Sequence, residues 1–191
     1  MFKNIKTAPA DPILGLTETF KADPNPDKIN LSVGVYKDAN GQTPVLESVK
    51  EAERRVLEQE DSKGYLPMTG EPAYCARVQE LMFGEDHEII ADKRAVTAQC
   101  PGGTGALRIV GDYLHVLHPG ASLWLSDPTW ANHGTIFDAA GINCEKYSYR
   151  DPKTNGLDID AMYESIKKIP RGDAILLHGC CHNPTGIDPT P

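Results

Sequence analysis

The stretch Arg94-Ala-Val-Thr-Ala-Gln-Cys-Pro-Gly-Gly-Thr-Gly-Ala-Leu-Arg-Ile-Val-Gly-Asp-Tyr-Leu-His-Val-Leu117 decides how the rest of the chain is read. Residues 94–99 are apolar and β-branched enough to read as a strand. Pro101-Gly102-Gly103-Thr104-Gly105 gives a tight turn, and an amphipathic helix follows, with a predicted core face of Ala106, Ile109, Val110, Tyr113, Leu114 and Leu117. The same alternation then recurs. Strands are predicted at 122–126, 144–149 and 174–179, and helices at 132–140 and 159–168, the second opened by Asp158 as N-cap. Parallel strands need crossover connections of this length, so the expected fold is α/β, a mostly parallel sheet with helices on both faces.

Upstream of this unit, Pro9, Pro12, Pro24 and Pro26 mark residues 1–30 as an irregular arm around a short helical stretch at 13–20. Val45, Val49, Ala52 and Val56 recur at helical spacing after Pro44, predicting a helix of three to four turns, and a second helix is expected over 72–83. At the other end, Asp188-Pro-Thr-Pro191 is a helix-start signal with no helix after it. The sequence therefore reads as the first part of a longer protein.

Composition narrows the function. Asp and Glu outnumber Lys and Arg 27 to 19, a net charge of −8, which gives no electrostatic reason to expect nucleic acid or an anionic membrane as a partner. The five cysteines are odd in number and two are adjacent, so a disulfide framework is not expected and a reducing, cytoplasmic setting is. The Cys180-Cys181-His182 cluster lacks a second ligand pair at metal-site spacing, so no metal is expected. Met1 to Pro12 has charges and prolines where a signal peptide needs an apolar run, and nothing approaches the ~20 apolar residues of a membrane span.

In parallel sheets ligands bind beyond the carboxyl ends of the strands, which directs attention to three loops. Pro101 to Gly105 opens a helix, where backbone N–H groups and the helix dipole can hold a phosphate, although an ordinary tight turn explains these glycines at least as well when taken alone. Asp127 to His133 brings an indole, an amide and an imidazole to the same edge, although, each taken alone, a buried tryptophan and a satisfied core histidine explain Trp130 and His133 better. His182-Asn183-Pro184-Thr185-Gly186 holds Asn183 extended before a proline, its amide free to face a ligand. A flat, anionic, phosphorylated cofactor accounts for all three loops at once.

Five segments, in order, resemble the class I pyridoxal-phosphate-dependent aminotransferases of the aspartate/aromatic (tyrosine) type. They are residues 30–38 (Asn-Leu-Ser-Val-Gly-Val-Tyr-Lys-Asp), 65–70 (Tyr-Leu-Pro-Met-Thr-Gly), 101–108, 127–133 and 178–186 (His-Gly-Cys-Cys-His-Asn-Pro-Thr-Gly). The resemblance implies fold type I of these transferases, with residues 1–44 as an N-terminal arm and part of a small domain, and 45–191 as the first part of the large cofactor-binding domain. It implies pyridoxal 5'-phosphate as cofactor. Gly103 and Thr104 would then cradle its phosphate, Trp130 pack over its ring and touch the substrate carboxylate, and Asn183 donate to its phenolic oxygen and to substrate. His133 would lie below the ring, Gly34 would offer a backbone contact to substrate, and Tyr65 would reach a partner's phosphate across a homodimer. The implied reaction moves an amino group between an acidic or aromatic L-amino acid, aspartate first, and 2-oxoglutarate. No lysine here sits in the family's Schiff-base motif, so the chain holds no catalytic residue and is expected to be inactive alone.

Two other readings compete. A nucleotide-binding α/β domain would use the glycine turn with Asp127 on a ribose, but Gly102, Gly103 and Gly105 have the wrong spacing. A non-catalytic chain would act only by association through its arm and unfinished sheet.

Overall fold

A computed structural model describes residues 12–30 and 34–190. Residues 1–11 of the predicted arm, and residues 31–33 of the 30–38 segment, lie outside the described residues. The chain forms two compact units, Met1–Gly64 and Tyr65–Pro191.

In the first unit, helix α1 (Pro12–Ala22) ends where Lys28 Nζ donates to the carbonyls of Phe20, at 2.7 Å, and Asp23, at 2.6 Å. A cation on the last carbonyls of a helix also meets the negative end of its dipole. Helix α2 (Glu47–Gln59) carries its charges as a lattice, Arg54 bridging Glu51 and Glu58 while Arg55 also reaches Glu51. Pairs at these spacings support an exposed helix by a few tenths of a kcal/mol each, about 0.2–0.5 kcal/mol.

The second unit begins with α3 (Pro72–Phe83), whose N-cap Glu71 accepts from the Ala73 N–H, with proline at the first helical position and Gly84 at φ 93 beyond its end. A single turn, α4 (Glu88–Ala91), follows; the sequence did not suggest it. Residues 94–99, predicted as a strand, form no ladder among the described residues. A strand exists only through its partner, and the backbone bonds of this segment are scattered: the Arg94 N–H reaches the Ile89 carbonyl and the Gln99 N–H the Thr69 carbonyl, each at 2.9 Å, while Gln79 reaches Thr97 Oγ1 at 3.1 Å.

From there the expected alternation holds: α5 (Gly102–Leu117), β1 (Ser122–Asp127), α6 (Asn132–Ala139), β2 (Asn143–Ser148), α7 (Ile159–Ile166) and β3 (Ala174–Ile175). Asp158 caps α7, its carboxylate accepting from the Ala161 N–H at 3.0 Å. The three strands are parallel in the order β2-β1-β3, with Leu123 opposite Cys144 on one side and Ala174 on the other. β3 is shorter than the predicted 174–179, because pairing with β1 stops once the Leu176 N–H has bonded the Trp124 carbonyl. Tyr147 Oη donates to the Leu176 carbonyl at 3.0 Å and holds the chain beside the sheet past that point.

Alternation along β1 builds two cores. Leu123 and Leu125 face α5 and α6, packing with Phe137, Ala140 and Ile142 and with Leu107 and Leu114. Trp124 faces the other way, toward Tyr147, Tyr149, Met162, Ile166 and Ile175, the layer that α7 covers. Helices thus lie on both faces, as the pattern required.

The face of α5 differs from the expectation. Ile109, Val110, Tyr113 and Leu117 are all about half exposed, and the packed stripe is Leu107, Gly111 and Leu114. Gly111 explains the rotation, since the absence of a side chain lets α6 come close. A Cβ there would lie 2.8 Å from Ala140 Cβ and 3.2 Å from Phe137 Cδ1. Gly111→Ala gains about 1 kcal/mol of helix propensity but forces the helices apart at a cost of about 1–3 kcal/mol. The expected result is a lower urea midpoint; a higher one would show that the α5–α6 contact is loose.

Candidate functional site

The carboxyl ends of β1 and β3 carry a stack of rings. Trp130 meets the edge of His133 at 5.2 Å between centroids, His133 meets the edge of His178 at 5.3 Å, and His178 stacks on His182 at 4.2 Å. Tyr149 closes the column, lying parallel to His182 at 3.8 Å and 9°. His133 and His182 are buried, at 7% and 1% exposure.

Each imidazole is tied to its neighbours. His182 Nε2 bonds Ser126 Oγ at 2.9 Å and its Nδ1 bonds Thr185 Oγ1 at 2.7 Å, so both ring nitrogens are used. Thr129 Oγ1 lies 2.8 Å from His133 Nδ1 and 3.5 Å from His178 Nε2. The Asn183 N–H donates to His178 Nδ1 at 3.1 Å. A backbone N–H can only donate, so His178 must present a lone pair there and remain neutral while that bond stands.

The 178–188 segment is pinned from a second side. Asp188 accepts from the Cys181 N–H at 2.7 Å and from the His182 N–H at 2.8 Å, and these two bonds hold its carboxyl below the usual carboxylate range. The Gly186 N–H reaches the His182 carbonyl at 2.7 Å, and Tyr149 Oη donates to the Ile187 carbonyl at 2.6 Å. The Asp127–Pro128 and Asn183–Pro184 bonds are cis.

Burial is the first cause that lowers the pKa of His133, His178 and His182 below the ordinary 6.5, with mutual repulsion adding to it for His133 and His182. A histidine with a depressed folded-state pKa is disfavoured in its charged form by folding. Its contribution is complete above the unfolded value and is lost as pH falls through 6.5 toward the folded value. Stability is therefore expected to fall on acidification below pH 6.5, steepest where the histidines of the unfolded chain are protonated and the three folded rings are still neutral. Urea midpoints between pH 5 and 8 check this; a midpoint flat across that window would contradict it.

Trp130, His133 and Asn183 are thus brought into one column, through His178. His133 is a satisfied, buried histidine, as the plainer reading held, and it also sits at the ligand edge. Gly103 and Thr104 lie exposed in the first turn of α5. Among the described residues, no hydrogen bond, ion pair or ring contact ties them to the column. Connectivity brings them to the same edge: α5 ends four residues before β1 and packs back along the sheet through Leu114 and Leu107, so its amino end points toward the strands' carboxyl ends. Pro101 makes no side-chain cap there; the Gly102 N–H is taken by the Cys100 carbonyl at 2.9 Å, which leaves the other first-turn N–H groups for an anion. Tyr65, the first residue of the second unit, has a fully exposed ring. Gly34 belongs to the first unit, and a Cβ on it would meet nothing within 4 Å.

The donors present suit a phosphorylated aromatic ligand: an uncapped helix start, an indole braced by a buried imidazole, and an exposed Asn183 whose side chain has no partner among the described residues. Sequence reasoning assigned no role at the ligand edge to Ser126, Thr129, Tyr149, His178, His182, Thr185 or Asp188. The four-residue spacing of His178 and His182 just before Asn183 was the available signal.

A parallel α/β sheet with its polar groups gathered at the strands' carboxyl edge has them where α/β folds bind their ligands. Residues 26–191 match the family of class I and II aminotransferases, and the chain belongs to that family. It is 54% identical over 190 residues to the aspartate aminotransferase of Salmonella typhi, covering all of this chain and 48% of that protein. It is 49% identical over 187 residues to the aromatic-amino-acid aminotransferase of Pseudomonas aeruginosa, covering 98% of this chain and 47% of that one. Among solved structures, the aromatic amino acid aminotransferase of Burkholderia cenocepacia superposes with a TM-score of 0.94 at 46% identity over 99% of this chain and 48% of its own. The aromatic-amino-acid aminotransferase of Burkholderia pseudomallei, covalently bound to pyridoxal phosphate, gives 0.93 at 47% identity over 100% of this chain and 48% of its own. The chain spans about half the length of the curated relatives it matches.

Proposed function

We propose that the chain is the first half of a cytoplasmic, homodimeric, pyridoxal-phosphate-dependent aminotransferase that moves an amino group between an acidic or aromatic L-amino acid, aspartate first, and 2-oxoglutarate. The observation that carries this reading is the ring column, which holds Trp130 and Asn183 at one ligand edge. Residues 1–44 serve as arm and part of a small domain, and the rest begins the large domain.

Gly103 and Thr104 hold the phosphate with the α5 N-terminus, whose partial positive charge favours it. Trp130 covers the pyridine ring and touches the substrate carboxylate. Asn183 donates to the phenolic oxygen and to substrate, and His133 supports the ring from below. Gly34 offers its backbone to substrate, and Tyr65 reaches the partner's phosphate. Bound there, the cofactor supplies an aldehyde for the amino group and a ring that accepts electron density from the substrate Cα. The lysine to which the family attaches its cofactor is not among these 191 residues, so this chain's part is to bind and orient.

Titrating the 191-residue chain with pyridoxal phosphate is expected to give one saturable, reversible site, with weaker binding of unphosphorylated pyridoxal. No amino transfer from aspartate or tyrosine to 2-oxoglutarate is expected. Turnover by this chain alone would overturn the inactive-fragment reading, and equal affinity for the two aldehydes would remove the α5 cradle.

A further inference from the structure

The turn that presents Asn183 also presents two adjacent cysteines for which the cofactor reading has no use. Cys180 and Cys181 are free and exposed. Cys181 adopts φ 53, and the N–H groups of Cys181 and His182 are both held by Asp188, so the pair sits on a fixed turn. The adjacent Cys180 thiol is the first cause that pushes the Cys181 thiol up, with the Cys180 and Asp188 charges adding to it. The other three cysteines are partly buried, and each thiol donates to a nearby backbone carbonyl: Cys75 to Thr69, Cys100 to Ala98 and Cys144 to Ile142.

We infer that Cys180 and Cys181 form a dithiol clamp for a thiophilic, three-coordinate electrophile, a trivalent organic arsenical being the ligand class it fits. Two alternatives fit less well. A disulfide between the pair would join Cα atoms about 3.8 Å apart, where unstrained bridges span roughly 4.4–6.8 Å. A metal ion would need more donors, and among the described residues no group of three or more His, Cys, Asp or Glu side chains is arranged to hold one. An arsenical brings its own third substituent and needs only two soft sulfurs. It also inserts an atom between them, so the ring closes without drawing the sulfurs to bonding distance.

The step balances without an oxidant. An arsenoxide, R–As=O, meets both thiols; two S–H bonds break, two As–S bonds form, and the oxygen leaves as water with both protons. Arsenic stays trivalent. The inference is independent of the pyridoxal phosphate reading, because it uses neither Trp130 nor Thr104.

The test is to add phenylarsine oxide to the reduced 191-residue chain and follow intact mass, titratable thiols and a proteolytic map. One adduct per chain is expected at stoichiometric reagent, blocking two of the five thiols, located on the peptide containing Cys180 and Cys181 and removed by 2,3-dimercaptopropanol. Cys180→Ser and Cys181→Ser should each weaken capture at least tenfold, while Cys75→Ser should not. An adduct mapped to another peptide, or single variants that capture as well as the wild type, would overturn the inference. If a variant does not fold, the wild-type map decides alone.

Discussion

Replacing Phe137 by alanine is expected to cost about 3–5 kcal/mol, the usual loss for emptying a core aromatic site. Phe137 is 1% exposed and lies where α6 meets both the sheet and α5, against Leu123, Leu125 and Ile142 on one side and the bare backbone of Gly111 on the other. Neither helix can collapse into the gap without losing its register on β1. Domains of this size are stable by about 5–15 kcal/mol in total, so the variant should be close to unfolding at 25 °C. Urea denaturation should show a much lower midpoint with an unchanged slope. A loss below about 1 kcal/mol would mean that the α5–α6–sheet layer is not the core described here.

His182→Ala has the second largest expected effect, and it joins stability to the site. The ring is sandwiched between Tyr149 and His178, and both nitrogens are bonded, one of them to Ser126, which is itself fully buried. Removal leaves a cavity and an unpaired hydroxyl, together about 2–5 kcal/mol. His178 loses the ring it stacks on, and with it the fixed acceptor for the Asn183 N–H. Pyridoxal phosphate affinity should therefore drop along with stability, although His182 is assigned no contact with the cofactor. Retained affinity in a folded His182→Ala chain would show that the column does not position Asn183.

Much of this architecture was legible in the sequence because its signals are local. The helix expected over 72–83 is α3, which has proline at its first position and Gly84 just past its end, and the capping by Asp158 needed only the next three residues. The readings that failed depended on distant partners. Residues 94–99 have strand composition but no strand to pair with among the described residues, and β3 is cut short by what β1 can still offer. The face of α5 was misjudged because periodicity marks apolar residues, whereas the packed stripe centres on a glycine, whose part is to leave space. The site divides the same way. Trp130, His133 and Asn183 stand in loops that follow strands and were visible as loop chemistry. Ser126, Tyr149 and Asp188 act through contacts with the His182 turn that are 56, 38 and 6 residues apart in sequence, and only folding brings these together.

Nuclear magnetic resonance of the 191-residue chain during addition of pyridoxal phosphate tests most directly whether the three loops grip a single ligand. The backbone amide of Thr104, the indole N–H of Trp130 and the side-chain amide of Asn183 should all shift, and each titration should yield the same dissociation constant. Shifts confined to one of the three, or three different constants, would contradict a shared site.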